Sequence, residues 1–303
     1  MKFPVHFFGG ARAARFGKPW RIIGLLALLF LLQACSAVKI AYNQAHELAY
    51  WQLDGYFDFS ETQTTRVREE LVQVHQWHRN TQLPTYIEAL KKWQALLPGD
   101  LDETQVCSLV EDVRGKLLAI SERSEAVVSE LAPTLAPEQL DHLKRKFSKL
   151  NTAYRRDFLE GSPQALLDKR VKKTVSRAET LYGPLEVKQL AVIRSYIAQS
   201  VFDAKLSLAE HQRRQQDALQ TLAPLVASPS TTQQAQPAIR AYFERSLNSP
   251  DPAFRSYQDR LTRDTCKMFA ALHNSTSAMQ RAQAVQTLKG YEQDVKTLAG
   301  QRL

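Results

Sequence analysis

The chain has 303 residues, of which 44% are hydrophobic and 23% are charged, the composition of an ordinary globular protein. Its 11 glycines and 13 prolines exclude a collagen-like chain and a long disordered tract. The formal net charge is +9, but five basic residues and no acidic ones precede Cys35. Without that segment, 35 basic residues face 31 acidic ones, and the remaining net charge of +4 argues against nucleic-acid binding.

The N-terminal segment has the three parts of a secretion signal. Basic residues extend to Arg21, residues 22–32 are apolar except for Gly24, and small residues surround Cys35. An apolar run of eleven residues is too short to cross a bilayer comfortably, whereas the h-region of a signal peptide has this length. The pattern predicts that residues 1–34 are a signal peptide that is removed from the mature protein.

Residues 32–35, with the sequence LQAC, resemble the lipobox of bacterial lipoproteins. The resemblance implies diacylglycerol on the Cys35 thiol, cleavage before Cys35, and transfer of an acyl chain such as palmitate to the new amine. A thiolate is a competent nucleophile for lipid transfer, and two or three acyl chains anchor a protein stably. Because Ser36 and not Asp follows Cys35, the resemblance also implies the outer membrane, facing the periplasm. The alternatives are an ordinary signal peptide with a chance cysteine and a cysteine within an uncleaved anchor.

The mature chain has the 3.6-residue periodicity of amphipathic helices and no convincing alternation typical of strands. Two apolar stripes illustrate it: Leu140, Leu143, Phe147, Leu150 and Tyr154, and then Leu190, Ile193, Ile197, Val201, Ala204 and Leu208. A helix cannot bury such a stripe alone, so the sequence predicts an all-α fold, a multi-helix bundle of antiparallel amphipathic helices. The predicted helices are residues 39–54, 61–80, 84–97, 103–131, 137–160, 163–182, 185–222, 234–248, 251–274 and 276–299.

One local pattern marks four of these helix starts, an apolar residue followed four positions later by Gln. The copies are residues 59–63, 101–105, 135–139 and 185–189. Ser60 and Asp102 each precede a Gln by three residues, which is the spacing of a capping box. The copies lie 42, 34 and 50 residues apart, so they predict a repeated helix start and not a solenoid repeat.

The segment WHRNTQLPTY, residues 77–86, is the densest cluster of informative side chains. Trp and Arg are good recognition anchors, and His can titrate near neutral pH. Trp77, His78, Arg79 and Tyr86 are therefore the candidate binding residues. In the structural alternative, Trp77 packs into the bundle while His78 and Arg79 cap the C-terminus of the helix predicted there.

Cys107 and Cys266 are the cysteines that remain besides Cys35. The periplasm permits a disulfide between them, and closing so long a loop stabilises a protein by on the order of a few kcal/mol. Two separate buried thiols are the equal alternative, because a free cysteine packs as a small apolar residue.

Residues that would carry catalysis or bind a metal are not evident. His75 and His78 share a helix face but have no further ligands at metal-site spacing, and the chain has neither a G-x-S-x-G motif nor a Gly-rich phosphate loop. A peptidoglycan-cleaving enzyme needs a buried acid, whereas Glu122 and Glu125 lie in a polar helical stretch. The sequence therefore predicts no enzyme, no metal and no cofactor.

Two longer segments bear on partners and domains. Residues 141–177 contain eleven basic and four acidic residues, which predicts either contact with lipid phosphates, lipopolysaccharide or an acidic protein, or a plain solvated helix face. Residues 223–238 are rich in Pro, Ser, Thr and Gln and form the predicted linker or long loop. They follow a main helical bundle, residues 35–222, and precede a C-terminal helical segment, residues 239–303, either separate or docked on that bundle.

The N-terminal third carries a distinctive group of residues: Cys35, AYNQA (41–45), Trp51, LDGYF (53–57), Gln63 and the segment WHRNTQLPTY. With them, residues 20–97 resemble a family of uncharacterised lipoproteins of Gram-negative bacteria, the domain of unknown function 6279. The resemblance implies an exported, lipid-anchored, all-helical protein, and it implies no activity.

These features predict a lipid-anchored envelope protein with a binding or scaffolding role. Its expected partners are the membrane, through the N-terminal anchor, and either an envelope protein or an anionic lipid. A periplasmic chaperone-like helical cradle is the first alternative. The helix starts resemble a Thr-bearing motif of small periplasmic chaperones, but this chain is much longer, so the likeness adds little to that alternative. In this chain Ser60, Asp102, Ala136 and Glu186 replace that Thr. A peptidoglycan-acting enzyme is the second alternative.

Overall fold

The computed structural model describes residues 38–228 and 231–301. The chain divides into two units, residues 1–42 and residues 43–303. In the first unit, the described residues 38–42 are helical. The predicted signal peptide and Cys35 lie outside the described residues, so the lipid anchor stays a prediction.

The second unit is built from eleven α-helices in its described part, and no strand occurs there. The helices are α1 (Ala45–Phe57), α2 (Glu61–Trp77), α3 (Leu83–Leu96), α4 (Glu103–Leu131), α5 (Pro137–Phe158), α6 (Pro163–Tyr182), α7 (Val187–Gln199), α8 (Ala204–Ala227), α9 (Thr232–Leu247), α10 (Pro252–Asn274) and α11 (Ala278–Gly300). The predicted all-α multi-helix bundle is confirmed. Across the described ranges, every helix is too short or too polar to cross a membrane.

Capping boxes begin several of these helices, as the Gln pattern predicts. The Ser60 hydroxyl accepts from the Gln63 backbone N–H, while the Gln63 side chain accepts from the Ser60 backbone N–H at 3.0 Å. Asp102 and Gln105 form the same reciprocal pair at the start of α4. Each box satisfies two backbone donors that have no partner within the helix, so these short sequences fix where the helices start.

Four of the glutamines also bond to one another in pairs that the sequence did not reveal. Gln189 and Gln280 exchange amide hydrogen bonds of 2.7 and 3.0 Å, so the N-termini of α7 and α11 lie side by side. Gln63 and Gln139 exchange bonds of 2.8 and 3.2 Å and join α2 to α5 in the same way. Each buried amide completes its hydrogen bonds on nearby backbone carbonyls, which makes the two pairs fully bonded polar contacts inside the bundle.

Two hydrophobic cores hold the second unit together. The first core contains Trp93, Leu97, Leu101, Val106, Tyr182, Ile193, Ile197, Cys266, Ala270, Leu272 and Ala284. The second contains Ala132, Leu135, Leu140, Leu143, Leu222, Leu225, Ala235 and Ile239. Helices from both sides of residue 230 contribute to each core, and a disulfide between Cys107 and Cys266 joins α4 to α10. The C-terminal helices are therefore packed on the earlier ones.

The predicted linker, residues 223–238, is largely helical. Helix α8 continues to Ala227 with Pro224 inside it, and α9 starts at Thr232. Leu225 and Ala235 are buried in the second core, and this burial offsets the cost of about 3 kcal/mol that Pro imposes on a helix interior. The prediction of a long loop is wrong, because the apolar contacts of Leu225 and Ala235 in the second core outweigh the local Pro-rich and polar composition.

The predicted single helix over residues 185–222 is two helices. Helix α7 ends at Gln199, and α8 starts at Ala204 after an extended turn. The Asp203 carboxylate accepts from the backbone N–H groups of Lys205 and Leu206, which is the N-cap interaction that starts α8. A continuous apolar stripe concealed this break.

The first core encloses a polar chain made of Tyr182, His273 and the Gly99 carbonyl. The His273 Nε2 lies 2.8 Å from the Gly99 oxygen, and Nδ1 lies 2.9 Å from the Tyr182 hydroxyl. Because a carbonyl only accepts, Nε2 carries the proton and Nδ1 accepts from the hydroxyl. Burial lowers the pKa of His273, which is 0% exposed, and raises the pKa of Tyr182. The folded protein therefore holds His273 neutral.

We expect stability to fall as the pH drops below about 6.5, the pKa of an unfolded His. In that range the unfolded chain takes up a proton that buried His273 resists, at a cost of up to about 1.4 kcal/mol per pH unit for each such group. Burial also lowers the pKa of His78 and His211. Urea unfolding at pH 7.5, 6.5 and 5.5 measures the free energy of unfolding. It should fall less steeply with decreasing pH in His273→Gln than in the unchanged protein. An equal dependence on pH in the two proteins would contradict this prediction.

Candidate functional site

Residues 77–86 form a continuous helical path and not the predicted break between two helices. A π-helical turn, His78–Gln82, joins α2 directly to α3, and the Leu83 backbone N–H bonds to the His78 carbonyl. Pro84 has no backbone N–H, and its ring would collide with the carbonyl four residues earlier in a regular α-helix. The wider turn accommodates Pro84 without ending the helix, and such turns are frequent at functional sites.

Arg79 points into the bundle from this turn and is only 2% exposed. Its guanidinium donates to the Leu298 carbonyl at 3.1 Å and to the Asn43 side chain at 2.7 Å. Asp294, also buried, lies one turn before Leu298 on α11. Arg79 thus links the turn by hydrogen bonds to residues near the start and near the end of the second unit. The prediction of Arg79 as a candidate binding residue is corrected, because its guanidinium is buried and bonded within the bundle.

The other three candidate residues lie together and are half-buried. The His78 Nε2 is 2.9 Å from the Tyr86 hydroxyl, and Trp77 meets the His78 ring edge to face. Burial lowers the pKa of His78 and raises the pKa of Tyr86, so both are neutral at pH 7. Lys116 lies over the Tyr86 ring, with Nζ 4.9 Å from the centroid. This arrangement presents an aromatic edge with one cation beside it.

His75 does not join His78 in a metal site. It is buried and stacks on His46, with ring centroids 5.4 Å apart. Within residues 38–228 and 231–301, no three His, Cys, Asp or Glu side chains are arranged to hold a metal ion.

A concave feature beside Tyr86 is an apolar groove lined mainly by α3 and α4, with further residues from α6, α10 and α11. We define it by Tyr86, Leu90, Leu109, Val113, Lys116 and Leu117, and it has a volume of about 390 Å³. Among the described residues, Lys116 is the only charged one that lines it. Val113 is 49% and Leu117 59% exposed, so apolar side chains remain in contact with water along the groove. A pocket of this size with apolar walls and a single polar group has the character of a binding site.

The sequence pointed to one side of this groove only. Residues 77–86 include Tyr86, but α4 was predicted only as a helix. Leu109, Val113 and Leu117 repeat at four-residue spacing, and this stripe was the available signal. A stripe alone does not distinguish a buried face from an open one, because that depends on which helix packs over it.

Fold and groove together define an all-helical protein with an open apolar groove beside a π-helical turn. The chain matches the family described as Family of unknown function (DUF6279) over residues 55–243, more than half of its length, and it belongs to that family. The match includes residues 77–86 and omits Cys35 and residues 41–45, so it does not extend to the predicted lipid anchor. No curated protein and no solved structure matches the chain.

Proposed function

We propose that this protein is a lipid-anchored, non-catalytic binding protein of the bacterial envelope that holds an apolar helical segment of another envelope protein. The apolar groove is the observation that supports this proposal most directly. Outer-membrane attachment through Cys35, facing the periplasm, is part of it and rests on the lipobox at residues 32–35. The disulfide between Cys107 and Cys266 supports an oxidising compartment, where such bonds persist.

The shape of the groove favours a helical polypeptide as its occupant. On α4, Leu109, Val113 and Leu117 span eight residues, which is about 12 Å along the helix axis. On α3, Tyr86, Leu90 and Trp93 follow the same face. A groove with apolar side chains from neighbouring helices is the kind of surface into which an amphipathic helix inserts its apolar face.

The charge at the groove edge refines the expected partner. Lys116 Nζ donates to the Thr85 hydroxyl at 3.0 Å, and it has no carboxylate partner among the described residues. An acidic residue on a bound helix would pair with it, since opposite charges at an interface edge fix register and raise the association rate. The partner segment is therefore apolar on one face and carries an acidic residue next to that face.

A chaperone-like cradle is the second candidate, and the half-exposed Val113 and Leu117 favour it as well. It differs in having many unfolded clients and no defined partner sequence. A cell-wall enzyme finds less support. Ion pairing with Arg240 lowers the pKa of Glu125, whereas an acid catalyst needs a raised pKa.

The proposal is tested by photocrosslinking in intact cells. With a benzoylphenylalanine at position 117, we expect a crosslink to one defined polypeptide, joined through a segment that is apolar on one face. The matched control places the same amino acid at position 187, because Val187 is 83% exposed and lies outside the groove. No such crosslink should form there.

The predicted role of the positive charge at Lys116 is tested in the same cells. Lys116→Glu should reduce the crosslink at position 117 roughly fivefold, while Lys289→Glu, on an exposed position of α11 outside the groove, should leave it unchanged. Crosslinks to many unrelated proteins, together with suppression of client aggregation by the purified protein, would favour the chaperone-like cradle. Equal crosslinking at positions 117 and 187 would contradict both functions.

A further inference from the structure

A second cleft lies between α6, α7 and α10, and its walls differ from those of the apolar groove. We call it the basic cleft and define it by Arg170, Lys173, Arg177, Phe202, Met268 and Phe269, with a volume of about 420 Å³. Its three cations belong to the basic segment 141–177, for which the sequence predicts either contact with lipid phosphates, lipopolysaccharide or an acidic protein, or a plain solvated helix face. Leu181 and Phe269 line both the basic cleft and the apolar groove.

The three cations of the cleft come from one face of α6. Arg170, Lys173 and Arg177 are spaced three and four residues apart, so their side chains project in the same direction. Arg170 lies over the Phe202 ring at 4.5 Å, and burial lowers its pKa. The described residues supply no carboxylate within ion-pair distance of Lys173 or Arg177. The positive charges of Lys173 and Arg177 at the rim are therefore not neutralised by a direct ion pair among the described residues.

The floor of the cleft is apolar. Met268, Phe269 and Leu272 of α10 and Ile197 of α7 form it. Asp264 is the one acidic residue in the lining, and its carboxylate accepts a hydrogen bond from the Val201 backbone N–H at 3.2 Å. A recessed carbon surface below three cations is not needed to bind a simple anion, since a flat basic helix face would do that. It matches a molecule with both a negative head and a hydrocarbon chain.

We infer that the basic cleft binds a single phosphate-bearing amphiphile, with its phosphate on Arg170, Lys173 and Arg177 and its alkyl chain on the apolar floor. Cations placed in this way interact with a phosphate as paired hydrogen-bond donors and as point charges. Each methylene of the chain that is buried on the apolar floor adds to the affinity. The ligand differs from that of the apolar groove, and the three cations do not line that groove, so the two proposals can fail independently.

Octyl phosphate is the probe, titrated calorimetrically into the full-length protein held in phosphatidylcholine nanodiscs, with empty nanodiscs as the blank. We expect saturable binding, and binding of inorganic phosphate and of octanol should each be at least roughly tenfold weaker. The Lys173→Gln/Arg177→Gln variant should bind octyl phosphate roughly tenfold more weakly than the unchanged protein. Both residues are exposed, so the variant should keep its thermal midpoint.

The matched control is Lys169→Gln/Lys172→Gln, which removes the same charge from the same helix at exposed positions outside the cleft. It should leave octyl phosphate binding unchanged. An equal loss of octyl phosphate affinity in the two double variants would contradict the proposed site, because only the net charge would then matter. If inorganic phosphate bound as tightly as octyl phosphate, the alkyl chain would contribute nothing, and the proposal of an amphiphilic ligand would be wrong. Binding of the protein to anionic vesicles without binding to octyl phosphate would also contradict the proposal and would indicate contact with a membrane surface.

Discussion

Reduction of the disulfide between Cys107 and Cys266 lowers the free energy of unfolding by about 2–5 kcal/mol. The two cysteines are 159 residues apart, so the bridge restricts more than half of the unfolded chain. In the chain-entropy account, a longer closed loop removes more freedom from the unfolded state. The bridge also joins α4 to α10 within the first core, where Cys266 is fully buried.

Urea unfolding followed by circular dichroism, with and without a reducing agent, measures this loss directly. The Cys107→Ala/Cys266→Ala variant is the control. It should be destabilised to a similar degree and should not respond to the reducing agent. Unchanged stability of the natural protein after verified reduction would contradict the prediction, because the bridge would then contribute nothing to the free energy of unfolding.

Replacing Gln189 by Met should cost about 3 kcal/mol of unfolding free energy. The side chain is fully buried and bonds to the Glu186 backbone N–H, the Ser275 carbonyl and Gln280. Met has nearly the same size but no polar group, so these partners would lose their hydrogen bonds inside the bundle. A buried donor or acceptor left in this way costs about 1–3 kcal/mol.

Gln234→Met is the matched control, because Gln234 completes a capping box with Thr231 but is exposed and has no glutamine partner. We expect it to cost about 0.5–1 kcal/mol, the contribution of a helix cap alone. The Gln189→Met/Gln280→Met variant should cost less than the sum of the two single changes, since the two amides bond to each other. Equal costs at Gln189 and Gln234 would show that the pairing contributes nothing.

Local patterns predicted much of the fold. The 3.6-residue stripes placed most of the helices, and the Gln spacing marked four of their starts. The starts at Thr231 and Ser277 have the same three-residue spacing to a Gln but no apolar residue directly before them, so the pattern missed them. Capping is local chemistry and is visible in sequence, whereas the pairing of Gln189 with Gln280 joins residues 91 apart and is not.

The candidate site was less predictable for the same reason. Arg79 reaches the Leu298 carbonyl across 219 residues, and a single sequence cannot show that contact. The open face of α4 depends on which helices leave Val113 and Leu117 uncovered. The π-helical turn at His78–Gln82 was missed because Pro84 ordinarily signals a helix boundary. Non-local packing overrode the local signal in each case.

Attachment to the envelope is the prediction on which the proposed binding roles depend most, because a lipid anchor at Cys35 would keep the protein among membrane partners. Mass spectrometry of the N-terminal peptide from the native protein tests this attachment directly. We expect a peptide that begins at Cys35 and carries a diacylglycerol group and an additional acyl chain. A native protein that retains residues 1–34 and has an unmodified Cys35 would contradict the proposed lipid anchor.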